Sequence, residues 1–136
     1  MHYVDTSFVA LQLLGQEGGA QAERIMADVL AAGAAISSVL LEIELTRVAR
    51  RTGAPLTSVR SLLDEIHLVD INRDVVDRAC ALTDSLKSLD AIHLATALIL
   101  DRDRAPITLL THDAHLAAAA RRSGLRVAGP DSSDGD

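Results

Sequence analysis

Short apolar runs alternate with longer helical stretches along the chain, and this alternation constrains the fold more than any other feature. Two parallel strands need a crossover of a dozen or more residues, usually a helix, so strands separated by helices predict parallel pairing. We therefore expect an α/β domain of three layers, α/β/α, around a central, mainly parallel sheet of about five strands. The predicted strands are His2–Val4, Ala34–Ser37, His67–Ile71, Ile107–Leu110 and Leu125–Ala128.

The segments between these runs have apolar residues at helical spacing and recognisable ends. Asn72 is a typical N-cap, and Gly33 and Gly53 are typical stop residues. The predicted helices cover approximately residues 7–14, 20–32, 38–51, 55–66, 72–86, 88–101 and 113–123. The stripe on the fifth of these includes Cys80, which we expect to be a buried thiol.

The length of 136 residues fits one domain, and a hydrophobic fraction of 49% is too high for intrinsic disorder. No apolar stretch approaches the roughly 20 residues of a membrane span, and no secretory signal is evident. One cysteine excludes an intramolecular disulfide and a cysteine-based zinc site. We expect a soluble, cytoplasmic protein with a domain over residues 1–128 and a disordered acidic tail over residues 129–136.

The net charge of −6 argues against a generally basic, nucleic-acid-binding surface. Three of these charges, however, belong to Asp131, Asp134 and Asp136 in the tail, and without them the net charge is −3. The position of the remaining acids therefore matters more than their number.

Two acids lie at the carboxyl ends of predicted strands, at the edge where open parallel sheets bind ligands. Asp5 comes after the first strand and Asp113 after the fourth. Either acid alone is explained as a helix cap, because a carboxylate at a helix N-terminus is favoured by the helix dipole. Two at the same sheet edge favour a functional site.

A third acid lies on the helix after the second strand, where two glutamates compete for the assignment. Glu42 shares an apolar face with Leu45 and Ala49, and a carboxylate there costs free energy unless it is paired or binds metal. Glu44 has Arg47 one turn later, a spacing typical of a solvated ion-pair face. We therefore predict Glu42 as the site residue and Glu44 as a surface residue.

The fourth acid is Asp90, in the first turn of a helix that is apolar nearly all round. His93, one turn later, is either a further ligand or a core histidine hydrogen-bonded to the backbone, and the second reading is the simpler. Four carboxylates in one crevice repel each other unless a cation lies between them, and all-oxygen ligands favour Mg²⁺ or Mn²⁺. The pattern thus predicts metal-dependent chemistry, such as phosphodiester hydrolysis.

In these segments the sequence resembles the PIN-domain ribonucleases, specifically the VapC-type toxins of type II toxin–antitoxin pairs. The resemblance spans residues 1–128 and is most specific around Asp90. The matching segments are Tyr3–Ser7, Ser37–Glu42, Leu86–Ala97, Leu110–Asp113, Leu116–Ala117 and Gly124–Leu125.

This resemblance implies a metal-dependent endoribonuclease that leaves a 5′-phosphate and a 3′-hydroxyl, with Mg²⁺ or Mn²⁺ as cofactor. It also implies a homodimer and a cognate VapB-type antitoxin that covers the site. The implied metal and catalytic residues are Asp5, Glu42, Asp90 and Asp113, and the implied supporting residues are Thr6, Ser7 and Thr111.

Basic residues near the predicted crevice are candidates for holding RNA phosphates. Lys87, the only lysine, precedes Asp90 by three residues, and Arg47 follows Glu42 by five. The scarcity of aromatic residues argues against base stacking as the main contact. The competing hypothesis is a PIN-fold module that cuts weakly or not at all and acts by binding RNA or an antitoxin.

Overall fold

A computed structural model describes residues 1–15 and 19–128, which form five strands and seven helices, with one or two helices between successive strands. The strands are β1 (His2–Val4), β2 (Ala35–Ser38), β3 (His67–Val69), β4 (Thr108–Leu110) and β5 (Arg126–Ala128). The helices are α1 (Thr6–Leu14), α2 (Gly19–Ala31), α3 (Leu40–Thr52), α4 (Leu56–Asp64), α5 (Arg73–Ala81), α6 (Ser88–Leu100) and α7 (Ala114–Arg122). The predicted acidic tail lies outside the described residues.

The five strands form one sheet in the order β3-β2-β1-β4-β5, and every neighbouring pair is parallel. The prediction of a parallel, five-stranded α/β/α domain is therefore confirmed. All five predicted strands are present, each within two residues of its expected bounds. β3 ends at Val69 rather than Ile71, because its partner β2 ends at Ser38, opposite Val69.

Successive residues of the inner strands enter two separate cores, as the two-residue period of a strand requires. Tyr3 and Leu109 face one core, and Val4 and Leu110 face the other. The first core also contains residues of α6 and α7, and the second contains residues of α1 to α4. Buried members are Leu94, Leu116 and Ala119 in the first core and Phe8, Met26, Leu41 and Val59 in the second.

Helix α5 departs from its prediction. It ends at Ala81, and of its nine residues only Val75 is buried. The helix packs mainly against α6, so most of its surface is open to solvent. The expectation that Cys80 is buried is wrong for this reason, since the thiol is free and exposed.

The strand order places the loops after β1 and β4 side by side. The chain first builds the sheet outward from β1 to β3 and then returns to add β4 on the other side of β1. Connections on the two sides diverge at such a point and leave a crevice at the carboxyl ends of the strands.

None of the helices formed by the described residues is long and apolar enough to cross a membrane.

Candidate active site

Asp5 lies at the base of the crevice, directly after β1, and only 3% of its surface is exposed. Its carboxylate caps α1 by accepting a 3.1 Å hydrogen bond from the Phe8 amide. The Ser7 hydroxyl donates to it at 2.9 Å and the Thr111 hydroxyl at 2.8 Å. Burial raises the pKa of Asp5 despite these donors, so the carboxylate occupies a site that does not fully compensate its charge.

The loop after β4 is joined to Asp5 by hydroxyl groups. The Thr111 and Ser7 hydroxyl oxygens are 3.2 Å apart, and the His112 amide donates to Ser7 at 2.9 Å. The Asp113 amide donates to Thr111 at 3.0 Å, and the Asp113 carboxylate in turn caps α7 through the amides of two residues of its first turn. Asp113 is therefore held close to Asp5 by a continuous network.

The structure brings Glu44, and not Glu42, into this crevice. Glu44 Oε1 accepts hydrogen bonds from the Thr6 hydroxyl and from His93 Nε2, each at 2.7 Å. Burial raises the pKa of Glu44, but the hydrogen bonds from His93 and Thr6 outweigh this effect, and the pKa lies below its usual value. The expectation that Glu44 belongs to a solvated surface is wrong.

The geometry of α3 explains why Glu44, rather than Glu42, faces the crevice. Residues two apart are separated by about 200° around a helix, so Glu42 and Glu44 emerge on opposite sides of the buried stripe that includes Leu45. The side of Glu44 faces α1 and α6. Among the described residues, the hydrogen bonds with Thr6 and His93 are made by Glu44 and not by Glu42, and we propose Glu44 for the α3 position of the site.

His93 is fully enclosed, and both of its ring nitrogens are occupied. Nε2 lies 2.7 Å from Glu44 Oε1, and Nδ1 lies 2.7 Å from the Tyr3 hydroxyl. Because a carboxylate only accepts, Nε2 carries a proton, and in the neutral ring Nδ1 then accepts from Tyr3. Burial raises the pKa of Tyr3 well above its usual value, which keeps that hydroxyl protonated. His93 is thus a core histidine, but its partners are side chains rather than backbone groups.

Asp90 completes the group from the first turn of α6, where it is partly buried. Burial raises its pKa, and the negative charges of Asp113 and Glu44 raise it further. Asp90, Asp113 and Lys87 line one open cavity of about 380 Å³. The structure therefore brings together Asp5, Glu44, Asp90 and Asp113, each supplied by a different connection at the same sheet edge.

The donors suit a hard divalent cation, although they are not arranged as a closed cage. Among the described residues, no group of three His, Cys, Asp or Glu side chains is placed to hold an ion directly. In the same part of the chain, no lysine or arginine forms an ion pair with Asp5. Mg²⁺ usually keeps several water molecules and takes one or two carboxylates, so open carboxylates with uncompensated charge fit a hydrated ion.

The raised pKa of Asp90 leads to a prediction about stability. The native state holds this proton more tightly than the unfolded state, so the contribution of Asp90 to the free energy of unfolding falls as pH rises above about 3.9. In EDTA, Asp90→Asn is expected to raise Tm at pH 7.5 by roughly 1–3 °C, because exposed charge interactions contribute about 1 kcal/mol or less.

Thermal unfolding monitored by circular dichroism between pH 4 and 7.5 measures this effect. The gain in Tm should shrink towards pH 4, because protonation of the wild-type carboxyl group removes the charge that the substitution removes. Asp64→Asn, at an exposed position of α4, is the matched control and should show little change. An equal gain at both pH values would contradict the proposed repulsion.

The two predicted RNA-binding residues occupy different positions. Lys87 is exposed at the N-terminus of α6, lines the cavity, and lowers the pKa of Asp90 through its positive charge. Arg47 is exposed on α3, three residues after Glu44. Lys87 is therefore at the site itself, whereas Arg47 is on a neighbouring outer face.

Comparisons with known proteins agree with this architecture. The sequence profile of the PIN domain matches residues 2–122. The chain belongs to the PIN-domain family. Relatives within that family include VapC ribonucleases. The chain is 39% identical to Ribonuclease VapC35 of Mycobacterium tuberculosis over 98 residues, which is 70% of this chain and 72% of the relative. It is 31% identical to Ribonuclease VapC47 of the same species over 134 residues, 96% of this chain and 97% of the relative.

A solved structure shows the same fold. The match is a chain of a toxin–antitoxin complex from Klebsiella pneumoniae, with a TM-score of 0.66 and 25% sequence identity. The alignment covers 96% of this chain and 98% of that chain. The similarity therefore extends over nearly the whole length of both chains, and the chain is a VapC-type member of the PIN-domain family.

Proposed function

We propose that this protein is the ribonuclease toxin of a toxin–antitoxin pair and hydrolyses RNA phosphodiester bonds with the aid of Mg²⁺ or Mn²⁺. The observation that carries the proposal is Asp5, an almost completely buried carboxylate that no lysine or arginine of the described residues pairs with, beside three further acids. The names of the VapC relatives support ribonuclease activity.

In this proposal Asp5, Glu44, Asp90 and Asp113 hold the cation. When bound, a divalent cation supplies an activated water molecule and stabilises the charge that develops on the phosphodiester. The described hydroxyl groups keep the acids in place: Ser7 and Thr111 hold Asp5, and Thr6 holds Glu44. The proposal replaces Glu42 of the sequence-based set with Glu44.

Lys87 is proposed to bind an RNA phosphate beside the acids, because it is the only lysine and lines the same cavity. Lys87→Ala should raise KM for RNA roughly 5-fold, the effect of losing about 1 kcal/mol from one contact. Arg102→Ala removes an exposed charge near the opposite end of β4 and should leave KM unchanged.

Arg47→Ala tests whether the bound RNA extends over α3. A KM equal to that of Arg102→Ala would exclude an RNA contact at Arg47.

The deciding experiment is RNA cleavage by purified, antitoxin-free protein in Mg²⁺ or Mn²⁺, with and without EDTA. Cleavage should stop in EDTA, return when Mn²⁺ is added in excess, and leave a 5′-phosphate and a 3′-hydroxyl. Asp90→Asn should lose most of the activity, because it removes one of the proposed ligands. Activity that survives EDTA, or that is unchanged in Asp90→Asn, would refute a metal-dependent nuclease.

The same experiment separates the second hypothesis, a PIN-fold module that binds RNA or antitoxin without cutting. That hypothesis expects RNA retention in a filter-binding assay but no new RNA ends at any metal concentration. The four acids brought together at one sheet edge favour the catalytic reading, since a binding surface for RNA gains nothing from four negative charges.

We further propose a VapB-type antitoxin partner and a cytoplasmic site of action, where the RNA substrate is found. The toxin–antitoxin complex whose chain has this fold supports such a partner. The homodimer implied by the resemblance stays a proposal, and sedimentation equilibrium of the free protein tests it. A single species at the 14.4 kDa mass of one chain would exclude the dimer.

A further inference from the structure

A chain of hydrogen bonds runs from the buried core to the acidic site through three side chains. The Tyr3 hydroxyl on β1 lies 2.7 Å from His93 Nδ1, and His93 Nε2 lies 2.7 Å from Glu44 Oε1. Tyr3 and His93 are each almost fully buried, whereas the Glu44 side chain is 21% exposed. The chain therefore connects the interior of the sheet to a group at the crevice.

This arrangement is more than packing requires. Phenylalanine would fill the space of Tyr3, and an aliphatic residue would fill that of His93, without the desolvation cost of buried polar groups. Instead, both ring nitrogens are paired, and the two rings meet edge to face, with centroids 5.7 Å apart and an interplanar angle of 76°. The orientation of the imidazole ring is therefore fixed from both sides.

The contacts on Glu44 fall on one oxygen only. Oε1 accepts from both His93 and Thr6, while Oε2 accepts no hydrogen bond from the described residues. A carboxylate held by one oxygen cannot rotate freely, so its second oxygen keeps a defined direction. We propose that Tyr3 and His93 are positioning residues that fix Glu44 for cation binding; this inference rests on the proposed function of Glu44.

The test measures Mn²⁺ affinity directly, by the electron paramagnetic resonance signal of free Mn²⁺ during titration of the full-length protein without RNA. Tyr3→Phe removes only the hydroxyl and is expected to weaken Mn²⁺ binding about 10-fold, in the range seen for groups that orient metal ligands. Ile107→Val, in the same core cluster as Tyr3, controls for a small loss of packing and should leave the affinity unchanged.

A double-mutant cycle with Glu44→Gln distinguishes positioning from a general structural effect. If Tyr3 acts through Glu44, Tyr3→Phe should have little further effect on Mn²⁺ affinity once Glu44 is Gln. Equal losses in both backgrounds would overturn the inference. So would an unchanged affinity in Tyr3→Phe while Glu44→Gln binds Mn²⁺ weakly. If Glu44→Gln itself binds Mn²⁺ normally, Glu44 is not a ligand. The proposed function of Glu44 then fails, and the positioning role of Tyr3 and His93 fails with it.

A second pair of variants keeps the test valid if Tyr3→Phe does not fold. His93→Gln retains an amide donor near the position of Nε2, whereas His93→Leu retains only volume. Mn²⁺ affinity should be substantially higher in His93→Gln than in His93→Leu. Equal affinities in two folded variants would show that the donor to Glu44 is irrelevant and would overturn the inference.

Discussion

Replacing Asp5 by Asn is expected to reduce RNA cleavage on the order of 10³-fold, the upper range for removing one preorganised electrostatic group. The substitution removes the charge at the most buried position of the crevice and changes the shape of the side chain very little. Asn is also a favourable N-cap, and its oxygen can still accept from the Phe8 amide at the start of α1. The loss should therefore appear in kcat rather than in folding.

The stability of this variant is the necessary control. Because burial raises the pKa of Asp5, charging it at neutral pH opposes folding, and Asp5→Asn should melt at or above the wild-type temperature in EDTA. Single-turnover cleavage of an RNA substrate, together with thermal unfolding, measures both effects. A variant that melts well below wild type would make the activity loss uninformative, whereas a stable variant with near-normal cleavage would remove Asp5 from the mechanism.

Glu44→Gln is expected to lower cleavage about 100-fold, while Glu42→Gln should stay within about 2-fold of wild type. The two positions form a matched pair, since they are in one helix and the same chemical change is made at each. Only Glu44 contacts Thr6 and His93 and repels Asp90 electrostatically. The difference between the variants should therefore follow from which side of α3 faces the crevice.

Cleavage rates and Mn²⁺ affinities of the two variants decide whether Glu42 or Glu44 is the acid that α3 contributes to the site. A greater loss in Glu42→Gln than in Glu44→Gln would restore the residue chosen from the sequence. Similar losses in both would indicate that α3 contributes through its overall charge, and high salt should then reduce the difference from wild type.

Much of the fold could be predicted because each strand is a short apolar run between helices with clear ends. Asn72, for example, has the side chain of a typical N-cap, and it caps α5 by accepting a hydrogen bond from the Val75 amide. The strand order could not be predicted in this way, because nothing local in β4 indicates that it pairs with β1 rather than with β3. The pairing of β4 with β1 is decided by how the helices cover the two faces of the sheet.

The grouping of the acids could be predicted where the backbone alone decides it, but not where side-chain packing decides it. Asp5 and Asp113 follow strands, so the parallel sheet is enough to bring them to one edge. Glu42 and Glu44 both border the apolar stripe of α3, and their spacing carries no information on which border meets α6. The signal that favours Glu44 is the pair Thr6 and His93, two polar residues that share one acidic partner. This signal can be recognised only once α1, α3 and α6 are placed together.

The contact between Asp5 and Thr111 joins residues 106 positions apart in the chain. β1 is made first, but its carboxylate receives its partner only when β4 has been inserted beside it. During synthesis the chain is therefore without an assembled site until almost all of the domain has left the ribosome. Under the proposed function, prematurely terminated chains that lack β4 would have no assembled site and would be unable to cleave RNA, so the order of the strands delays the activity until β4 has been made.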